Sequence, residues 1–527
     1  MHLRTVFHIQ AVLLLILGVV LGVPTLLALA DGTQDRLALG LSMVVALAVG
    51  GALYLATRSG REGRRLTQRD GYLATALGWL FASIAGALPF FLFAQLLPVD
   101  PQWVPEAPAG AAVCDLPVEA LHPGREFCNP ADAMFESISG FTTTGASVIR
   151  VGLWDATDSP TSFGKPALPR GLLLWRSLIH WLGGMGILVL AVTVLALVGV
   201  GGVHLMRAEV PGPSKDRLSP HIADTARMLW WVYAGMSVAQ VLALTAGGMD
   251  LFNAACHTCA TMATGGFSTL TASAGSLTPY AQWVIILFMF LAGANFTLHW
   301  TLVFKRSLAH LHDSEFRAYT VIVLCSTAVL AAVLVSLNLG WGALETVRHA
   351  AFQVVSIMTT TGFMTADFAL WAPGAQLLLV VLMFIGGCAG STGGGIKVVR
   401  LQVTLKAAVR ELLRVAQPRV VPTIRTGHQV IKDEKVFAIL GVVALFVGTF
   451  VLSSLALALM GLDIVTATSA VAACIGNVGP GLGAVGPAVN YHSVPEAGKW
   501  VLMFNMIAGR LEIYTILVLF SPSFWRR

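Results

Sequence analysis

Four times along this chain a polar strip broken by glycine lies against apolar sequence: "FTTTGAS" (141–147), "MATGGFS" (262–268), "MTTTGFM" (358–364) and "IGNVGPG" (475–481). Each strip ends a short segment that opens on residues suited to a helix start: Pro130 and Asp132, Asp250, Glu345 and Asp463. Each short segment is flanked by apolar runs of about 20 residues, enough to cross a hydrocarbon core of about 30 Å. Ten such runs are expected, near 7–30, 37–57, 72–97, 171–200, 228–247, 281–304, 318–339, 375–396, 436–460 and 499–520. Only 11% of residues are charged, against about a quarter in soluble domains, so the chain reads as a polytopic membrane protein. The first run ends in "ALADG", which resembles a signal-peptidase site, but its length and the run directly after it predict an uncleaved anchor.

The formal charge of +6 is a topology signal and does not suggest nucleic acid. Lys and Arg gather in four linkers: five in 58–70, four in 204–227, three in 305–317 and nine in 397–435. Segments 268–280 and 363–373 have none. The positive-inside rule therefore predicts that these linkers and both termini are cytoplasmic and that loop 98–170 faces outward. Both spans of each pair then end on the cytoplasmic side, so the short segment between them must dip in from outside and return. In the first copy, Ala131 to Phe141 makes about three helical turns and reaches roughly half-way across the bilayer. The strip then climbs back in extended form, which is tolerated only where it is buried in protein or lines a watery cavity.

The expected fold is all-α and polytopic: four pseudo-symmetric units of helix, re-entrant pore loop and helix around one pore, preceded by two extra N-terminal helices. The boundaries are 1–60 for the extension and 61–203, 204–313, 314–432 and 433–527 for the units. Superposing the strips aligns Gly145, Gly265, Gly362 and Gly479, with Thr143, Thr144, Thr264, Thr360, Thr361, Asn477 and Val478 beside them. Glycine lets carbonyl oxygens turn toward a common axis, and rings of carbonyls that replace a hydration shell select a monovalent cation. Close helix packing by small residues would explain one strip, but not four in the same orientation.

Of seven cysteines, Cys114 and Cys128 fall in the outward loop, where an oxidising compartment allows a disulfide. Cys325, Cys388 and Cys474 fall in or beside apolar runs, where packing is the usual role. The cluster "CHTC" (256–259) could ligate a soft metal, but it occupies the place of "SISG" and "VSIM" in sister segments, so helix packing explains it. No cofactor is expected, and the only metal expected is the ion carried at the strips.

The long strings "WRSLIHWLGGMGILVL" (175–190), "GVGGVHLMRAEVPGPSKDRLSP" (199–220), "GGCAGSTGGGIKVVR" (386–400), "CIGNVGPGLG" (474–483) and "GRLEIYTILVLFSPSFW" (509–525) resemble the Trk/Ktr/HKT superfamily of potassium transporters, specifically its bacterial Trk-type subunit. The likeness covers nearly the whole chain. It implies potassium uptake across the bacterial inner membrane by a homodimer in which each protomer has its own pore. In plant relatives a serine at the first filter position goes with sodium preference; Gly145 stands here, which implies potassium.

The run Gly386 to Gly395 holds six glycines and cannot be a comfortable helix. The resemblance makes Gly390, Ser391, Thr392, Gly393, Gly394, Gly395 and Lys397 part of an intramembrane gate under the filter. The run lacks the GxxxxGK[ST] form of a phosphate loop. Arg510 lies about ten residues from the cytoplasmic end of its span, where a charge is costly unless it meets water or a partner. It either pairs with an acidic group such as Glu512 or projects into the pore, and the resemblance implies the pore. Linkers of about 13 to 40 residues are too short for a nucleotide-binding fold. The resemblance implies instead a cytosolic ring of NAD/ATP-binding regulatory subunits, with "RAEVPGPSKDR" and "KAAVRELLRVAQPRVVPTIR" as docking surfaces. Anionic membrane lipid attracts the same charges. The alternative to a filter-type conductor is a symporter coupling potassium to protons or sodium, which would want a titratable residue in the path; Glu136 and Glu512 are the intramembrane acids in view. No HExxH, span-depth aspartate pair or GxSxG points to an enzyme.

Overall fold

A computed structural model describes residues 2–58, 67–96, 113–115, 124–150, 168–186, 222–307, 309–417, 423–427 and 429–526. Among them, six helices are long and apolar enough to span a membrane, or eight when each of two bent pairs counts as one span. The first two, Leu3–Asp31 and Arg36–Thr57, form an antiparallel pair beside the first unit. Buried polar contacts fasten them there. The Gln10 side-chain amide donates to the Ala74 carbonyl at 2.9 Å, and Asp35 accepts the Leu172 N–H at 3.0 Å.

The four units follow. Their outer helices are Gln68–Leu96, Ile222–Ala246, Ser314–Ser336 and Asp433–Leu459. The short helices are Pro130–Phe141, Leu251–Met262, Ala343–Met358 and Ile464–Ile475. The inner helices begin at Arg170, Pro279, Pro373 and Glu496. Large apolar side chains such as Leu26, Val238, Leu324 and Leu452 are exposed, as lipid-facing positions require.

Local chemistry explains where the short helices start. Asp250 and Asp463 accept the N–H groups of Asn253 and Thr466, each at 2.9 Å. In the first unit the cap is Asn129, not Asp132, and Pro130 takes the first helical position. Asp132 instead pairs with Lys499 of the fourth inner helix at 2.5 Å. Glu345 lies in the first turn of its helix after Gly342.

Three expected spans prove discontinuous. The run 281–304 breaks between Ala292 and Phe296 with a bend of 99°, and 499–520 breaks after Arg510 with a bend of 112°. The run 375–396 ends as a helix at Ile385, and helix Val398–Ala416 begins only after Lys397. The first break is built from Asn295, whose side chain caps the next segment at Thr297 N–H (2.8 Å), and from Gly293, whose carbonyl accepts from Cys388 (2.8 Å). At the second break Glu512 and Ile513 have φ of 58° and 37°, which no helix contains. Hydropathy cannot see such breaks because the residues that make them are small or sit inside apolar runs. Helix Arg170–Gly184 carries the beginning of run 171–200; the remainder of that run, most of loop 98–170, the strings 199–220 and "RAEVPGPSKDR", and residues 418–422 lie outside the described residues.

Candidate functional site

All four strips have one backbone pattern. Thr143, Thr264, Thr360 and Asn477 have φ of 54°, 53°, 60° and 55°, and two residues later Gly145, Gly266, Gly362 and Gly479 have 79°, 79°, 84° and 99°. Such alternation across a single intervening residue turns neighbouring backbone dipoles to one side. The residue between anchors each strip to its own short helix: Thr144 N–H to Ser139 O (2.9 Å), Gly265 to Ala260 (2.8 Å), Thr361 to Ser356 (2.8 Å) and Val478 to Ala473 (2.7 Å).

Both patterns correct the second strip by one residue. Gly266, not Gly265, is the counterpart of Gly145; Gly265 stands where Thr144, Thr361 and Val478 stand. In "ATGG" matching the Thr-Gly pair picks Gly265, whereas the ungapped strips set Gly266 beside Gly145; the sign of φ and the N–H anchors decide for Gly266.

The strips close a ring. A Cβ added to Gly145 would strike the Gly265 carbonyl oxygen, one on Gly266 that of Thr361, one on Gly362 that of Val478, and one on Gly479 that of Thr144. Each glycine thus abuts the carbonyl preceding the next unit's glycine, and the fourth returns to the first. This cyclic order requires four strips around one axis, with no room for a side chain at any of the four glycines. The C-terminal end of a short helix leads into every strip and adds partial negative charge at the ring.

Side-chain support behind the ring differs from unit to unit. Nine residues before the four glycines stand Glu136, His257, Gln353 and Ala470. Glu136 accepts from Ser147 Oγ and Val148 N–H, both at 3.1 Å, and is paired with Arg176 at 2.7 Å. Arg176 also donates to Ser268 O at 3.2 Å and stacks 4.0 Å from the Phe267 ring, so it joins the first two strips. His180 bridges the same seam, donating from Nδ1 to Gly140 O (2.7 Å) and accepting the Phe267 N–H at Nε2 (3.2 Å). His257 donates to Asn253 O (2.9 Å) and accepts from Ser268 Oγ (3.1 Å), so both its ring nitrogens are engaged within the protein. Asn477 donates to Thr144 Oγ1 at 3.0 Å, and the Tyr491 hydroxyl donates to Gly479 O at 2.6 Å. Sequence reasoning singled out neither Arg176 nor His180. The available signal was a charge and an imidazole four residues apart inside an apolar run.

The glycine loop lies against the linker-side ends of the strips. Thr392 Oγ1 donates to Met262 O at 3.1 Å and lies 3.3 Å from Thr264 Oγ1, while Gly394 N–H donates to Thr360 Oγ1 at 2.7 Å. Ser391 Oγ donates to Cys388 O at 2.6 Å, and Gly390 O accepts from Phe296 at 3.0 Å. Gly386, Gly390, Gly395 and Lys397 have positive φ, and Lys397 Nζ folds back to the Gly393 carbonyl. Arg510 reaches across the same layer, donating to Thr392 O (2.6 Å), Gly183 O (2.6 Å) and Gly184 O (2.8 Å). Glu512 pairs with Arg400 at 2.6 Å. A cavity lined by Gly184, Leu229, Phe296, Ser391, Arg400 and Glu512 opens beneath. Apart from this site, Cys114 and Cys128 are disulfide-bonded.

Four re-entrant helix-and-strip units whose carbonyls and glycines interlock around one axis define a multi-pass membrane transport protein of the pore-loop class. The TrkH family model, a cation transport protein family, matches residues 122–527, and the chain belongs to that family. It is 38% identical to the Trk system potassium uptake protein TrkH of Escherichia coli K12 across 100% of both chains. It is 31% identical to the Trk system potassium uptake protein TrkI of Halomonas elongata, over 99% of this chain and 97% of the relative. The crystal structure of the potassium transporter TrkH from Vibrio parahaemolyticus superposes with a TM-score of 0.82 at 34% identity, covering 100% of each chain.

Proposed function

We propose that this chain is the membrane subunit of a bacterial potassium uptake system and conducts potassium through the ring of four strips. The closed circle of glycine and carbonyl contacts carries the reading. Carbonyls held edge to edge replace a hydration shell without a charged ligand, which suits a dehydrated monovalent cation. Thr143, Thr144 and Gly145, Thr264 to Gly266, Thr360 to Gly362 and Asn477 to Gly479 form the selectivity filter. Gly390 to Gly395, Lys397 and Arg510 form the gate beneath it. Glu136 and Glu512, the two intramembrane acids the sequence offers a symporter, are each bound to an arginine, which favours passive conduction. The unit boundaries 61–203, 204–313, 314–432 and 433–527 follow the basic linkers.

The basic linkers and both termini lie on the cytoplasmic face of the inner membrane, and the chain works as a homodimer with one pore per protomer. A cytosolic ring of NAD/ATP-binding subunits docks on the linkers and biases the gate.

Currents from purified protein in planar bilayers test the reading. The reversal potential should follow the potassium gradient alone at every pH. A reversal potential that tracks the sodium gradient equally well overturns the filter assignment, and one that shifts with pH establishes coupled transport.

A further inference from the structure

Glu315 stands in the first turn of helix Ser314–Ser336, where a carboxylate is ordinary helix chemistry, and no feature of the sequence sets it apart. The helix start is satisfied without it, because Asp313 accepts the Phe316 N–H at 2.7 Å. Glu315 is 9% exposed, and its Oε1 serves another part of the fold. It accepts the Ala389 N–H at 2.8 Å and the Val399 N–H at 3.0 Å, two groups on opposite arms of the glycine loop.

Those arms form a neck. Ile396 N–H donates to Phe384 O at 3.0 Å, and Val398 N–H to Gly387 O at 3.1 Å. On the far side, Cys388 N–H donates to Gly293 O at 2.8 Å and Phe296 N–H to Gly390 O at 3.0 Å, so one arm is also fixed to the broken inner helix of the second unit. With both N–H groups on one oxygen, the neck can neither widen nor shear until a bond to Glu315 breaks. Breaking it strands a buried N–H and a buried carboxyl oxygen.

We propose that Glu315 is the positioning residue that locks the neck of the gate, and that movement of the linker-side elements reaches the loop through it. This rests on the gate assigned above. The tip contacts of Thr392 and Gly394 hold only while the neck is in register with the strips. Helix Val398–Ala416 is tied to the same corner, since Gln402 donates to Ser314 O at 3.2 Å. A displacement of that helix against Ser314–Ser336 therefore loads the Glu315 to Val399 bond first and frees the loop when it parts.

The test is potassium flux into liposomes without any partner protein, normalised to folded protein, with the potassium to sodium ratio measured in the same preparation. Glu315→Ala removes both hydrogen bonds and should raise the flux about tenfold or more, the scale of two buried hydrogen bonds. Glu315→Gln keeps an acceptor oxygen and should raise it less. Both should keep the parent's ion ratio, because the strips are untouched. Val399→Pro deletes one of the two bonds from the other side, at a first-turn position that tolerates proline, and should give a smaller rise of the same kind even if Glu315→Ala folds poorly. Flux per folded protein that is unchanged or lower in these variants overturns the proposal, and so does a rise accompanied by loss of ion discrimination. A parent protein without potassium flux would defeat the conduction reading itself and this proposal with it.

Discussion

In the ring of strips, four segments with different side chains adopt one backbone; in the layer directly beneath, the described inner helices of the second, third and fourth units are interrupted in different ways. The second inner helix bends by 99° at Gly293 to Asn295, the fourth bends by 112° after Arg510, and the third dissolves into a twelve-residue loop from Gly386 to Lys397. On the proposed reading, equivalent oxygens around an ion demand equivalent backbones, so symmetry survives in the ring, whereas the proposed gate has to occupy one axis with one plug. Here the third unit supplies the loop, the fourth supplies Arg510, and the first and second supply carbonyls that receive them. The difference teaches that symmetry-related positions should respond alike to mutation in the ring and unlike beneath it.

The largest effect should come from filling the ring. Gly266→Ala meets the Thr361 carbonyl and forces an L-residue to φ near 79°, a conformation costing about 1–2 kcal/mol before any clash. Its potassium to sodium permeability ratio should fall at least about tenfold, and Gly145→Ala, Gly362→Ala and Gly479→Ala should match it. If one of the four retains the parent ratio, the ring is not functionally symmetric.

Beneath the ring the expected effects are unequal. Arg510→Ala removes three hydrogen bonds and a positive charge. Two unit charges about 6 Å apart repel by about 3 kcal/mol at an effective dielectric of about 20, so partner-free flux in liposomes should rise more than about tenfold. Among the described residues no second arginine donates to these carbonyls, and alanine at Met185, which follows the helix Arg170–Gly184, should leave flux near the parent value. Thr392→Val keeps the shape and loses one hydroxyl, worth about 1 kcal/mol, so a rise of about fivefold is expected. A Thr392→Val rise equal to that of Arg510→Ala would mean that the loop tip alone, without the arginine, holds the gate shut.

How much of this is legible in sequence follows the same division. The strips were visible because they repeat, and repetition with glycine at a fixed place carries its own physical explanation. The register of "ATGG" is open to a one-residue slip because two adjacent glycines offer the same freedom, although the ungapped strips, with Ser268 against Ser147, favour Gly266 as the fold does. The interruption at Gly386 to Gly395 could be read from helix propensity. The bends at Gly293 and Arg510 could not, because their apolar surroundings score as continuous spans. Glu315, Arg176 and His180 act through backbone groups far away in the chain, and no local pattern encodes those partners.

The smallest effect on transport should come from a region outside both layers, which makes it the control for the comparison. Cys114 and Cys128 are bridged across a sequence separation of 14. Cys114 packs against the end of the first outer helix through Ala94 O at 3.4 Å, and Phe127 lies 5.1 Å from Phe90 of that helix. The bridge therefore holds the segments around Cys114 and Cys128 against the first outer helix. In the chain-entropy account, closing a loop of this size contributes up to about 3 kcal/mol, so the Cys114→Ser, Cys128→Ser double variant should melt several degrees lower in detergent. Its flux per folded protein and its potassium to sodium ratio should remain within about twofold of the parent, since surface-loop ordering and ring geometry share no contact through these cysteines. A change of ion ratio in this variant would show that the ring depends on the outer loop, and equivalence among the four glycines would then have to be judged in the bridged protein alone.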